Sequence, residues 1–186
     1  RVRPGLLALM LALVFVSAAV GWAAGRRGRG ALAADPLTFT SILAPAGGNF
    51  GEQRSLAITP DGRRLAFVFA AGDGSRMLKL RQLGKLDAEP ILRTAGATAP
   101  FWSPDGRSLG YFAAGYLTVL DQNGEARRLC PVAGATGGSW SVKGVILFGH
   151  NDGISMVPAA GGTCTLIVPR AGGPLLKAVF LPDGER

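Results

Sequence analysis

At 186 residues, with 28 glycines and 12 prolines against 17% charged residues, the chain is too rich in turn formers for a helical bundle. At 48% hydrophobic it is too apolar for a disordered segment, so many short strands joined by tight turns are expected. The net charge of +8 is unevenly carried: Arg1, Arg3, Arg26, Arg27 and Arg29 flank one apolar stretch, leaving 15 basic against 12 acidic residues elsewhere. Basic residues beside a hydrophobic segment match an anionic lipid surface, so membrane lipid is the expected partner and nucleic acid is not.

In chain order, residues 1–4 read as the juxtamembrane end of an upstream region. Gly5 to Gly25 contains no charged residue. As a helix those residues would rise about 31 Å, enough to cross the hydrocarbon core. A cleaved leader is the competing reading, because Ala31-Leu32-Ala33 before Ala34-Asp35 has the pattern of a cleavage site. Arg26, Arg27 and Arg29 stand between the apolar run and that site, which favours a retained transmembrane helix with these arginines as its membrane flank. Both readings place the remainder across a membrane, although two basic residues before the helix and three after it do not themselves set that orientation. Residues 26–36 form a basic, small-residue linker.

From residue 37 the chain repeats itself. Ala57-Ile58-Thr59-Pro60-Asp61-Gly62-Arg63-Arg64-Leu65-Ala66-Phe67 recurs as Phe101-Trp102-Ser103-Pro104-Asp105-Gly106-Arg107-Ser108-Leu109-Gly110-Tyr111. Ser139-Trp140-Ser141-Val142-Lys143-Gly144-Val145-Ile146-Leu147-Phe148 is a degenerate copy, and Val179-Phe180-Leu181-Pro182-Asp183-Gly184 begins another. Gly62, Gly106, Gly144 and Gly184 are 44, 38 and 40 residues apart, the period of four-stranded propeller blades. Thr or Ser, Pro, Asp and Gly in succession supply the acceptor, the fixed φ and the flexible last position that a type I turn requires. Each motif therefore predicts a hairpin turn between an innermost and a second strand.

Third strands are expected at Met77–Leu80, Tyr116–Leu120 and Ile154–Val157, and outer strands ending in Leu92, Leu129 or Val168. Leu37–Leu43 precedes the first repeat and reads as a ring-closing strand. The fold class is thus all-β: a partial β-propeller over residues 37–186, about three and a half blades starting near 55, 99, 137 and 177, preceded by one transmembrane helix.

These repeats resemble the WD-like propeller family found in TolB and in the extracytoplasmic half of bacterial receptor-type serine/threonine kinases. Gly138-Ser139-Trp140-Ser141 leading into Gly144-Val145-Ile146-Leu147-Phe148, and Val157-Pro158-Ala159-Ala160-Gly161-Gly162-Thr163, are similar to the kinase-attached subgroup. So is the order of one helix followed by a propeller. In that family the kinase domain precedes the helix, so the resemblance implies a sensor or scaffold module of a kinase parent, taking a protein or small ligand at the propeller face. The amino-terminal propeller of a serine peptidase and a TolB-like envelope scaffold are the alternatives.

No phosphate loop, nucleophile elbow or kinase catalytic loop is present, and neither cofactor nor metal is expected. Asp61, Asp105 and Asp183 each lie in a separate blade and read as turn formers. His150 reads as an exposed hairpin-loop residue, with any Ser-His-Asp triad needing residues from outside the chain. Trp102 and Trp140 hold matching inner-strand positions and read as inter-blade core in preference to a ligand-stacking pair. Counted from Gly124 and Gly162, Cys130 and Cys164 are offset by four residues on neighbouring blades. That offset exceeds disulfide reach unless the blades are staggered, so two small buried side chains are expected in place of a bridge.

Overall fold

The computed structural model describes residues 47–51, 56–172 and 177–180. Within them the chain forms strands and turns and no helix. The expected transmembrane helix, the arginine flank, the Leu37–Leu43 strand and the last turn (Pro182, Asp183, Gly184) lie outside the described residues.

Three antiparallel sheets follow one another along the chain. The first contains β1 (Gly48–Phe50), β2 (Leu56–Ile58), β3 (Arg64–Ala71), β4 (Arg76–Gln82) and β5 (Ala88–Pro90). The second contains β6 (Thr98–Trp102), β7 (Leu109–Ala113), β8 (Tyr116–Leu120) and β9 (Ala126–Pro131). The third contains β10 (Gly137–Trp140), β11 (Val145–His150), β12 (Gly153–Pro158) and β13 (Thr165–Pro169). In the second and third, strand order equals chain order, so every connection is a hairpin. In the first, β1 and β2 share one edge of β3, β2 opposite Leu65–Phe67 and β1 opposite Phe69–Ala71.

The three expected third strands fall within β4, β8 and β12. The outer strands differ from expectation. Leu129 and Val168 lie inside β9 and β13, whereas β5 stops at Pro90, two residues before Leu92. Proline has no N–H for a ladder, and just beyond it a side chain takes over. The buried Thr94 hydroxyl accepts the Leu78 N–H at 3.0 Å and donates to the Ile91 carbonyl at 2.6 Å.

Strand β3 is buried from Leu65 to Phe69 and β7 from Leu109 to Phe112, the second sheet being covered on both faces by its neighbours. Ala66, Val68 and Leu78 meet Leu109, Tyr111 and Leu120 between the first and second sheets. Phe112, Leu117 and Val119 meet Ile146, Phe148 and Val157 between the second and third. Face-to-face packing of four-stranded antiparallel sheets, with the inner strands β2, β6 and β10 neighbouring one another, is propeller architecture.

Side chains complete what the backbone begins. The Phe101 ring lies against Gly110 of its own blade and Gly138 of the next, where a Cβ on either glycine would overlap ring carbons. The Phe180 N–H donates to Ser139 Oγ at 3.0 Å, joining the fourth repeat to the third blade.

Candidate functional site: turns and clefts between blades

The Pro-Asp-Gly turns are built alike. The Gly62 N–H donates to the Thr59 carbonyl at 2.8 Å, and the Gly106 N–H to the Ser103 carbonyl at 2.8 Å. Both glycines have φ of +68°, a left-handed backbone that explains the residue choice. Thr59 Oγ1 donates to Asp61 at 2.5 Å and accepts the Arg64 N–H at 3.0 Å. Ser103 Oγ does the same with Asp105 at 2.6 Å and the Ser108 N–H at 2.9 Å. The hydroxyl and the Arg63 N–H hold the Asp61 carboxyl below its ordinary value; Ser103 and the Arg107 N–H do so for Asp105. The third turn has Val142 and Lys143 in place of Pro and Asp, and is one residue shorter, closing from the Ser141 N–H to the Val145 carbonyl at 2.8 Å. Gly144, φ +73°, ends it.

On this face the turns of neighbouring blades frame clefts. Between the first and second blades, Arg64 Nη2 donates to the Gly106 carbonyl at 2.6 Å and its guanidinium lies 5.2 Å from the Trp102 ring centroid. Trp102 Nε1 donates back to the Ala57 carbonyl of the first blade at 3.1 Å. Between the second and third blades a cleft of about 460 Å³ opens beside Asp105, Ser108, Trp140 and Gly144. Trp140 packs edge-on to Phe101 at 6.4 Å. The two tryptophans therefore join blades, and each also borders an opening. A further cavity of about 240 Å³ lies along the inner strands, bordered by Leu56, Ile58, Phe101, Thr136 and Lys177. Sequence reasoning passed over Arg64; aligning the repeats position by position, where Arg64 stands opposite Ser108, exposes the difference.

Two expectations need correction. His150 is not an exposed loop residue: its side chain is 12% exposed, stacked 5.5 Å from the Phe148 ring. The β11–β12 hairpin also brings serine and aspartate to it from within the chain, with His150 Nε2 2.7 Å from Ser155 Oγ and Nδ1 3.6 Å from Asp152 Oδ2. The grouping does not form a nucleophilic triad. Ser155 is 5% exposed inside the sheet, so its hydroxyl is closed to a substrate, and Nδ1 faces the Asp152 backbone N–H at 3.4 Å. It pins a hairpin.

The second correction is the disulfide. Cys130 and Cys164 are bonded, with Cα atoms 6.2 Å apart. Counting from turn glycines assumed regular, aligned outer strands. Instead a bulge at Leu129 advances β9 by one residue, and Cys164 lies ahead of β13 in the segment that crosses beside β9. Arg127 donates to the Ala159 and Ala160 carbonyls of that same segment, so strand and turn of neighbouring blades abut.

No protein-family model and no curated protein sequence matches the chain. Among solved structures it is similar to a TolB from Agrobacterium tumefaciens, at 20% identity and a TM-score of 0.60, over 71% of this chain and 51% of that one. It is similar also to TolB from Acinetobacter baumannii, at 18% identity and a TM-score of 0.59, over 80% of this chain and 39% of that one. The chain thus spans about half the length of the first and about two-fifths of the second. At such identities the likeness is one of fold: the three sheets are adjacent blades of a β-propeller, the fold shared with those structures.

Proposed function

We propose that this chain is the extracytoplasmic propeller of a membrane-tethered receptor, a binding and scaffolding module whose parent is a receptor-like serine/threonine kinase. The observation that carries the location is the Cys130–Cys164 bridge between blades, since structural disulfides persist in oxidising compartments. The binding role is supported by open clefts framed by turns on a stapled scaffold, the usual placement of recognition surfaces. Membrane lipid would contact the Gly5–Gly25 span and its Arg26, Arg27, Arg29 flank. The likeness to TolB favours a second reading, an envelope scaffold without a kinase.

A Gln122→Cys variant of the full chain, exposed in the β8–β9 turn, tests the location. In right-side-out membrane vesicles it should react with a membrane-impermeant maleimide; reaction only after detergent would place the propeller inside and sink the proposal. Autophosphorylation of the parent protein separates the two readings, its absence leaving the envelope scaffold.

A further inference from the structure

The repeats carry an internal reference for what their clefts accept. Between the first and second blades the cleft is filled by the chain itself: Arg64 lies over Trp102 and binds the Gly106 carbonyl. A Cβ built on Gly106 would come 3.4 Å from Arg64 Nη2, 3.5 Å from Thr59 Cγ2 and 3.6 Å from Pro60 Cδ. Between the second and third blades the matching residues are Ser108 for Arg64, Trp140 for Trp102 and Gly144 for Gly106. Serine is too short to span the junction. A Cβ on Gly144 would meet nothing within 4 Å, and the space it leaves is the 460 Å³ cleft.

We propose that this second cleft is a binding site for a guanidinium group, the side chain of an arginine presented by a partner protein. The inference rests on the binding-module reading and names the chemistry that module would recognise. An aromatic residue at the position that holds Arg64 in the first junction borders the cleft, and a planar, weakly hydrated cation stacks on such a ring better than an ammonium. Asp105 also lines it. Its Oδ1 is engaged by Ser103 and the Arg107 N–H, and the Arg107 charge also acts on it, so Oδ2 is the oxygen an incoming cation would meet. The Gly144 carbonyl accepts the Ala159 N–H at 2.8 Å and keeps its second lone pair, as a carbonyl can. The first junction has no counterpart of that bond, and there the guanidinium takes the Gly106 carbonyl.

The test titrates the full chain, in detergent micelles, with a capped tripeptide carrying a central arginine and with its lysine and citrulline counterparts. Arginine should bind at one site and about five- to tenfold more tightly than citrulline, which keeps the shape and loses the charge. Ser108→Arg, which copies the first junction into the second, should abolish arginine binding while retaining the unfolding transition. Should that variant not fold, Asp105→Asn keeps the turn acceptor, removes the charge and should weaken arginine at least threefold. Equal binding of arginine and citrulline, or undiminished binding in a folded Ser108→Arg, overturns the proposal. Binding of another ligand along the inner strands without arginine preference would also overturn it, yet leave the binding-module reading standing.

Discussion

Phe101 shows how little room single residues have at a blade junction. Its ring contacts Phe112 at 6.1 Å and Trp140 at 6.4 Å, and lies flush on Gly110 and Gly138. Gly110→Ala would drive a methyl into a buried ring hemmed in on both sides, and should cost about 1–3 kcal/mol, read as a lowered midpoint in urea. The turn aspartates carry a pH signature. Their folded carboxyls titrate below the unfolded value, so their contribution is present above about pH 4 and is lost as pH falls through the folded pKa. Stability should decline on the acid side below about pH 4, and less steeply in a double Asp61→Asn, Asp105→Asn variant, whose side chains still accept the turn N–H bonds without titrating. A decline of equal slope in the variant would assign the acid limb to other groups.

Between elements, junctions are held by apolar packing together with a few directed contacts. The disulfide closes a loop of 34 residues' separation between the second and third blades. Replacing Cys130 and Cys164 with serine should lower unfolding free energy by about 2–4 kcal/mol, seen equally when the native chain is unfolded in reductant. The untreated chain should show no free thiol under denaturing conditions. At the other junction, Trp102→Phe removes the Nε1 bond to Ala57 and weakens the stack with Arg64. It leaves the half-buried Ala57 carbonyl without that donor, and a loss of about 1–2 kcal/mol is expected by the same measurement. The turn motif, the third strands and the inter-blade role of the tryptophans were legible because each depends on local residue order. The disulfide and Thr94 were not, since each acts between segments whose relative register a one-dimensional alignment does not contain; the alignment sets Arg64 against Ser108 but does not show that it reaches Trp102 and Gly106.

Across the described residues, burial is low on the strands at the two ends of the run of blades, β2 and β13. Every residue of β13 is exposed, including Leu166, Ile167 and Val168 at 47%, 42% and 43%. On β2, Leu56 and Ile58 are 52% and 55% exposed. Blades bury their faces on other blades, and an apolar edge strand offers unpaired backbone groups to any neighbour. A segment comprising residues 35–186 should therefore self-associate, sedimenting as a mixture whose average mass rises with concentration. A monodisperse monomer with one sharp unfolding transition would show that these surfaces are covered from within the segment.

Composition, the 44-, 38- and 40-residue spacing of turn glycines and the alternating apolar strands determined by themselves that the chain repeats as propeller blades, three of which fall within residues 56–172. That information is local: a hairpin turn depends on four consecutive residues and a strand on the alternation of its own side chains. Tertiary structure alone decided which residues meet across the junctions. Stagger between blades and the bulge at Leu129 bring Cys130 to Cys164. The difference between Arg64 and Ser108, two residues alike in their turns, fills one cleft and leaves its neighbour open. Blade-to-blade geometry arises from the summed packing of both sheets, and no run of residues within one repeat encodes it.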